Sequence, residues 1–565
     1  MIDFNKIQIE EPNFKEFTET LIKLKDQLDN ASSSDDAIKV IEDYFKFSDH
    51  LQSICTIINI RHTINISDEK YSKYNDLLNE KLPLLNEYDN KVTKAILHSK
   101  FRKELEEKFG TYYFEQLELA DKIFSPEIIP DLQEENNLVA KYQAIMGQAS
   151  AIYKGQELPL TKFNPYLTNL DRQVRKESSK AYWSFFSENE DKLAELYSKL
   201  VTVRDRVAKK LGFKNFIQLA YYRLGRIDYN QDDVKNYRDE VLKNIVPLAN
   251  KLRQLQMKRI GIKDPQFYDY ALAFKTGNPL PLQDPNKLIE AAQIMYKEMN
   301  PQISYYFDFM VKYHLMDLIA KPGKVPGGYM TFIPDIKSSF IFSNFNGSAG
   351  DVDVLTHEFG HSLQGFLSAN IEVPSLRNPG MESCEIHSMS MEFLTYKFMN
   401  LFFNDQADKY RFSHLEDAIE FIPYGVSVDE FQHFVYENPQ ATHQERKAKW
   451  REIEKKYTPY KNYDENDFLL SGGLWMRQGH IYEVPFYYID YTIAQVGAFE
   501  FFTESLENYP KTLDKYLDFC KLGGQYPYKT LMTKAGIKNP MVNGTLEEIT
   551  PKLEKYLNSI DTSKF

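Results

Sequence analysis

Apolar residues return every third or fourth position through most of this chain, and that single periodicity restricts it to packed helices. "FTETLIKLKDQLDNA" (17–31), "DKLAELYSKLVTVRDRVAKKLGF" (191–213) and "DDVKNYRDEVLKNIVPLANKLRQLQ" (232–256) all follow it. Strand signals are scarce. The exception is Gly327–Gly347, "GGYMTFIPDIKSSFIFSNFNG", where paired glycines, Pro334 and the run "SSFIFSNF" predict two short strands joined by a turn. The sequence "ASSSDD" at 31–36 predicts a helix boundary with a serine N-cap. The expected class is mainly α, with a small β-hairpin or sheet.

At 565 residues the chain exceeds the ~250–300 at which one hydrophobic core stops growing, so two lobes are expected. The division predicted is a helical region over 1–200 and a catalytic region over 201–565, with a soft boundary and interwoven lobes. Hydrophobic residues at 42% and charged residues at 27% exclude disordered and fibrous classes. A formal charge of −12 argues against nucleic acid as a partner, because phosphate backbones demand a clustered basic face. Cys55, Cys384 and Cys520 lie far apart and form no C-x-x-C pair, which speaks against a disulfide framework and a thiolate metal site. The start, "MIDFNKIQIEEPNFKEF", lacks a basic segment followed by an apolar one, and no run of about 18 apolar residues occurs. These features predict a soluble, cytoplasmic protein without a membrane partner.

The strand region leads directly into "DVLTHEFGHSLQGF" (353–366), which contains H-E-x-x-H. Four residues advance a helix by about 400°, so His357 and His361 point within about 40° of each other and can share one ion. Zinc accepts neutral imidazole nitrogen at about 2.0–2.1 Å, and a catalytic zinc keeps three protein ligands and a water. Glu358, one step round the helix, is placed to act as general base on that water. Val354, Leu355, Phe359, Leu363 and Phe366 supply a face to bury, and Ser348 or Asp351 is the expected cap.

A third ligand must come from elsewhere. The metzincin pattern needs Gly at 364 and His at 367, and this chain has Gln364 and Leu367. Downstream, "GMESCEIHSMSMEFLTYKFMN" offers Glu382, Glu385, His387 and Glu392. In helical register Ile386, Met389, Phe393 and Tyr396 form an apolar stripe, while Glu385, Ser388 and Glu392 share a neighbouring face. Glu385 is the predicted ligand. Glu392 or Asp353 is a candidate acceptor for a ligand imidazole N–H. His387 points about 200° away from Glu385.

Four blocks together resemble the thimet oligopeptidase and oligoendopeptidase F family of zinc metallopeptidases, especially its short bacterial branch that includes the Pz-peptidases. They are "GKVPGGYMTF" (323–332), "FIFSNFNGSAGDVDVLTHEFGHSLQ" (340–364), "CEIHSMSMEFL" (384–394) and "RQGHIYEVPFYYIDYTIAQ" (477–495). The resemblance implies one zinc ion held by His357, His361 and Glu385, with Ser388 completing an E-x-x-S pattern. His387 departs from the proline of the larger relatives. The 24-residue spacing from His361 to Glu385 also suits dipeptidyl carboxypeptidases of the angiotensin-converting type.

The last block brings His480, Tyr488 and Tyr491, which fall within about 100° of arc if they share one helix. By resemblance Tyr491 donates to the oxyanion, and His480 and Tyr488 hold substrate or intermediate; a donor at that oxygen is worth about 2.7–4 kcal/mol. Gly472, Gly473 and Gly479 would permit a loop to close. "SSFIFSNF" is expected as an exposed edge strand that pairs with an extended peptide. The family shape implies two lobes around a deep substrate channel. The expected activity is cleavage of internal bonds in short unfolded peptides by a monomer, the rivals being a dipeptidyl carboxypeptidase and a peptide-binding protein without catalysis.

Overall fold

The computed structural model describes residues 3–565 and is mainly helical. The helices begin where side chains can take the orphaned first-turn N–H groups. Asn13 accepts from Glu16 N, Ser33 accepts from Asp36 N, and Asn230 with Asp233 and Thr442 with Glu445 form reciprocal capping boxes. The cap at Ser33 is the one that "ASSSDD" predicts. Helices over Phe14–Asp29, Glu190–Lys210 and Gln231–Ile260 match the three periodic segments.

Two compact units emerge, each assembled from three stretches of chain. The first comprises Met1–Asp121, Leu280–Asn404 and Glu504–Ile537, and the second Lys122–Pro279, Asp405–Thr503 and Lys538–Phe565. Among the described residues five short strands interrupt the helices: β1 (Ser150–Tyr153), β2 (Gln156–Pro159), β3 (Met316–Ile319), β4 (Tyr329–Ile333) and β5 (Ser338–Phe345). In the second unit β1 and β2 form an antiparallel hairpin. The first unit holds a three-stranded sheet in the order β3-β5-β4, with β5 parallel to β3 and antiparallel to β4.

This sheet corrects one expectation. The segment "SSFIFSNF" is β5 and lies in the middle, so both of its edges are used and it offers none to a peptide. Its burial explains its composition, since all but one of its residues are buried. The partner missed in the sequence, β3, is only four residues long and follows His314 in left-handed conformation (φ 54°), too brief to carry a period. The edge strands are β3 and β4.

After β5 the chain turns at Gly347 (φ 83°) and enters α1 (Gly350–Ser368). The expected cap is also corrected. Ala349 is the N-cap and supplies no side-chain bond. Asp351 instead reaches back to accept from Asn346 N and Gly347 N (2.7 Å for the latter), so it braces the incoming turn rather than the helix. Leu355, Phe359 and Leu363 are fully buried, each stabilising by about 1.5–3 kcal/mol. Phe359 meets Tyr296 at 4.3 Å between ring centroids, and Phe366 stacks on Tyr306 at 4.1 Å.

The other face of α1 packs on α2 (Met381–Leu394), and Gly360 permits the contact. A Cβ there would sit 2.7 Å from the His387 carbonyl oxygen and 2.8 Å from Ser388 Cα, both backbone atoms that cannot step aside. Gly360→Ala is therefore expected to destabilise by about 1–3 kcal/mol in urea unfolding. Gly147→Ala, at a position where nothing lies within 4 Å, is the matched control and should change stability by no more than about 0.5 kcal/mol.

Candidate functional site

His357 and His361 extend from α1 towards Glu385 on α2. His357 Nε2 lies 3.2 Å and His361 Nε2 3.5 Å from Glu385 Oε2, and one ligand atom from each of the three residues falls within 4.8 Å of the others. Ligands at about 2.0–2.1 Å from a tetrahedral zinc stand about 3.3 Å apart. Two of the three spacings already match that geometry, with two imidazole nitrogens and a carboxylate as donors, so the residues fit a zinc ion.

Supporting contacts fix the ligands. Glu392 Oε1 lies 2.6 Å from His357 Nδ1, which directs the opposite nitrogen at the site, so Glu392 rather than Asp353 is the residue placed against that ring. Ser388 donates to Glu385 Oε2 at 3.1 Å. Burial opposes charge on His357, but Glu385 and Glu392 raise its pKa well above the ordinary histidine range. Burial likewise opposes ionisation of Glu385, and His357 and His361 nevertheless hold it well below the usual carboxylate range. Positive charge is thus favoured where the three donors converge, which is what a bound cation supplies.

Glu358 follows His357 on α1 and is half-buried. His387 stays out of the site. Its Nδ1 lies 2.9 Å from the Ser383 carbonyl oxygen, its ring stacks on Phe519 at 4.1 Å, and burial, helped by the charge of His361, pushes its pKa down to about 3. Glu382 is buried in the first turn of α2 and is not among the three converging donors.

A cavity of about 610 Å³ opens beside the triad, lined by His361 and Glu385 and, on β4, by Met330, Thr331 and Phe332. Arg377 also lines it, but its guanidinium is bonded in bidentate fashion to Asp49 at 2.6 and 2.9 Å, so its charge is spent. The role of β4 was not legible from sequence, because its half-buried pattern has no clean alternation.

The remaining candidates lie in the second unit and correct a geometric expectation. His480 sits on a short helix (Gly479–Glu483), whereas Tyr488 and Tyr491 open α3 (Tyr488–Leu522). They do not share one helix. Pro485 denies Val484 a helical conformation (φ −137°, ψ 76°), and Phe486 adopts φ 67°. The rings still gather: His480 lies 4.9 Å from Tyr488 and 5.9 Å from Tyr491 between centroids, and Tyr488 and Tyr491 are 5.8 Å apart. Tyr487, missed in the sequence, joins at 5.0 Å from Tyr491.

Gln478 sets the state of His480. Its Oε1 accepts from the Tyr424 hydroxyl at 2.8 Å and its Nε2 donates to His480 Nδ1 at 2.7 Å, leaving the proton of the neutral imidazole on Nε2. Burial lowers the His480 pKa, with Glu483 opposing, and burial raises that of Tyr488. Both are thereby kept as neutral hydrogen-bond donors. Gly479 sits with Tyr142 Oη 3.3 Å from where its Cβ would be, and Gly473 is closed in by the Phe468 ring.

The sequence profile of peptidase family M3 matches residues 166–290 and 301–551, and that of the peptidase M3 N-terminal domain matches 4–124. The chain belongs to peptidase family M3. Its fold is that of the solved structure of Pz peptidase A with an inhibitor, at 44% identity over 99% of this chain and all of that one, with a TM-score of 0.92. Among curated proteins, oligopeptidase PepF of Bacillus subtilis is 21% identical over 93% of this chain and 80% of its own length. The oligoendopeptidase F homolog of Borreliella burgdorferi is 22% identical over 71% of this chain and 70% of its own. The resemblance drawn from four sequence blocks thus extends to the whole M3 peptidase chain, and its mainly helical class is the observed one. No helix of residues 3–565 is long and apolar enough to cross a membrane, and Cys55, Cys384 and Cys520 are free thiols.

In this M3 chain, Glu392→Gln should weaken zinc binding about 10- to 100-fold in competition with a chromogenic chelator. Glu385→Gln should weaken it more. Equal affinity for Glu392→Gln and the parent would remove Glu392 from the support of His357.

Proposed function

We propose that this M3 peptidase is a zinc-dependent endopeptidase that hydrolyses internal bonds of short, unfolded peptides. The observation that carries the reading is the convergence of His357, His361 and Glu385 at ligand spacing on the wall of a cavity bordered by the edge strand β4. An extended peptide can add to β4 through backbone hydrogen bonds, with side chains entering the cavity between Phe332, Thr331 and the triad. Such pairing needs an unfolded segment and reads little sequence. The names of Pz peptidase A and the oligoendopeptidase F relatives agree with this substrate class.

His357, His361 and Glu385 would hold the zinc ion, which would supply a Lewis acid to activate water and polarise a carbonyl. Glu358, adjacent to His357, takes the proton of the attacking water and later delivers it to the leaving amine. Tyr491 is assigned the donor to the carbonyl oxygen as negative charge develops there. His480, protonated on Nε2, and Tyr488 hold the substrate backbone or the intermediate. The enzyme acts as a monomer inside the cell.

Mass spectrometry of products from a mixed library of 5–30-residue peptides tests the reading. Internal cleavage that stops with a chelator and returns with zinc is expected. Release of C-terminal dipeptides alone would favour a dipeptidyl carboxypeptidase, and intact peptides would leave only a binding role. Glu358→Gln should keep zinc while losing about 10²–10⁴-fold in kcat. Tyr491→Phe should lower kcat about 10²–10³-fold with little change in KM, and an unchanged kcat would assign the oxyanion donor elsewhere.

A further inference from the structure

In a chain whose formal charge is −12, the second unit places an arginine with no carboxylate partner three residues before His480. Arg477 is exposed, its guanidinium carbon stands 5.9 Å from the centre of the Tyr182 ring, and Tyr424 and Tyr488 are its other electrostatic neighbours. Among the described residues no carboxylate pairs with it. Lys461 lies nearby, with Nζ 5.3 Å from the Tyr424 ring centre and 3.7 Å from Glu454 Oε1. Glu454 is shared, since it also accepts from the Tyr463 hydroxyl and pairs with Arg451. Arg253, the other cation acting on Lys461, is matched by Glu420 at 2.9 Å. Arg477, Lys461 and Arg451 face Glu454 between them, and Glu483 is the carboxylate that acts on His480, so cations outnumber carboxylates here while burial lowers the Lys461 pKa.

The position of this charge matters. Arg477 directly precedes Gln478, the residue that bonds Tyr424 and His480, and Tyr488 neighbours both Arg477 and His480. Three residues of chain span at most about 11 Å, so a peptide contacting His480 passes within a few residues of the guanidinium. A planar guanidinium bonded to the Tyr182 hydroxyl but to no carboxylate, with tyrosine rings around it, suits a planar carboxylate held in bidentate fashion. Lys461 lies close enough for Arg477 to lower its pKa, so the two cations share one neighbourhood. Every unmodified peptide brings one such group, at its C-terminus.

We propose that Arg477, backed by Lys461, binds the C-terminal α-carboxylate of the peptide substrate. This rests on reading the chain as a peptide-binding enzyme, and not on which bond it cuts. The interaction measures substrate from its end, so short peptides with a free carboxylate gain over longer or blocked ones.

Titrations on the zinc-loaded Glu358→Gln background read binding without turnover. A labelled eight-residue peptide is compared as free acid, as C-terminal amide, and as an amide with an interior Glu. The free acid should bind about 10- to 100-fold more tightly than the plain amide. Adding Arg477→Gln should erase that preference, and Arg477→Lys should restore part of it. Equal binding of acid and amide would overturn the proposal, as would an Arg477→Gln variant that weakens both forms equally, since that marks a structural role. Arg477-dependent rescue by the interior Glu would reassign the site to acidic side chains and overturn the C-terminal assignment. Failure of every peptide to bind is a different result, and refutes the peptide-binding reading itself.

Discussion

The close approach of α1 and α2 at Gly360 is the constraint on which the candidate metal site depends. With no side chain at that position, the backbone of residues 387–388 on α2 comes into contact with α1. That contact sets Glu385 3.2–3.5 Å from two imidazole nitrogens and presents Glu392 to the back of His357. The hydrophobic face of α1, with Leu355, Phe359 and Leu363 buried, fixes the helix rotation and hence the direction of both histidines. Core packing and ligand geometry are consequences of the same helix register. A one-residue shift would turn His357 and His361 by about 100° and dismantle both.

Much of this was legible in the sequence, for identifiable reasons. Helical period is a local property, so the long helices and the H-E-x-x-H face could be placed directly. The choice of Glu385 also followed from register, because Ile386 and Phe393 had to be buried and the acid could not share their face. Pairings between distant segments were not legible. The sheet order, which puts Ser338–Phe345 in the middle and Tyr329–Ile333 at an edge, depends on a four-residue strand with no period of its own. The grouping of His480 with Tyr488 and Tyr491 was anticipated, but through a shared helix that Pro485 and Phe486 do not permit. Tyr487 and Gln478 gave no signal, since their roles arise only once the turn between two helices is formed.

Charge is distributed unlike the net balance would suggest. Cations outnumber carboxylates around Arg477 and Lys461, whereas the candidate metal triad pairs imidazoles with acids. In the cavity beside the triad, by contrast, Arg377 is neutralised by Asp49. Under the proposed function, binding there would fall to β4, the apolar side chains and the metal. One chain thus separates a nearly neutral surface suited to peptide backbone from a cationic one suited to a peptide end.

The central claim is that His357, His361 and Glu385 jointly hold one zinc ion. Anomalous diffraction at the zinc edge from crystals of the zinc-loaded chain tests it most directly. The account predicts a single strong peak about 2.0–2.2 Å from His357 Nε2, His361 Nε2 and a Glu385 carboxylate oxygen. A fully loaded protein whose peak lies elsewhere, or whose zinc leaves Glu385 uncoordinated and takes another residue as third ligand, would contradict it.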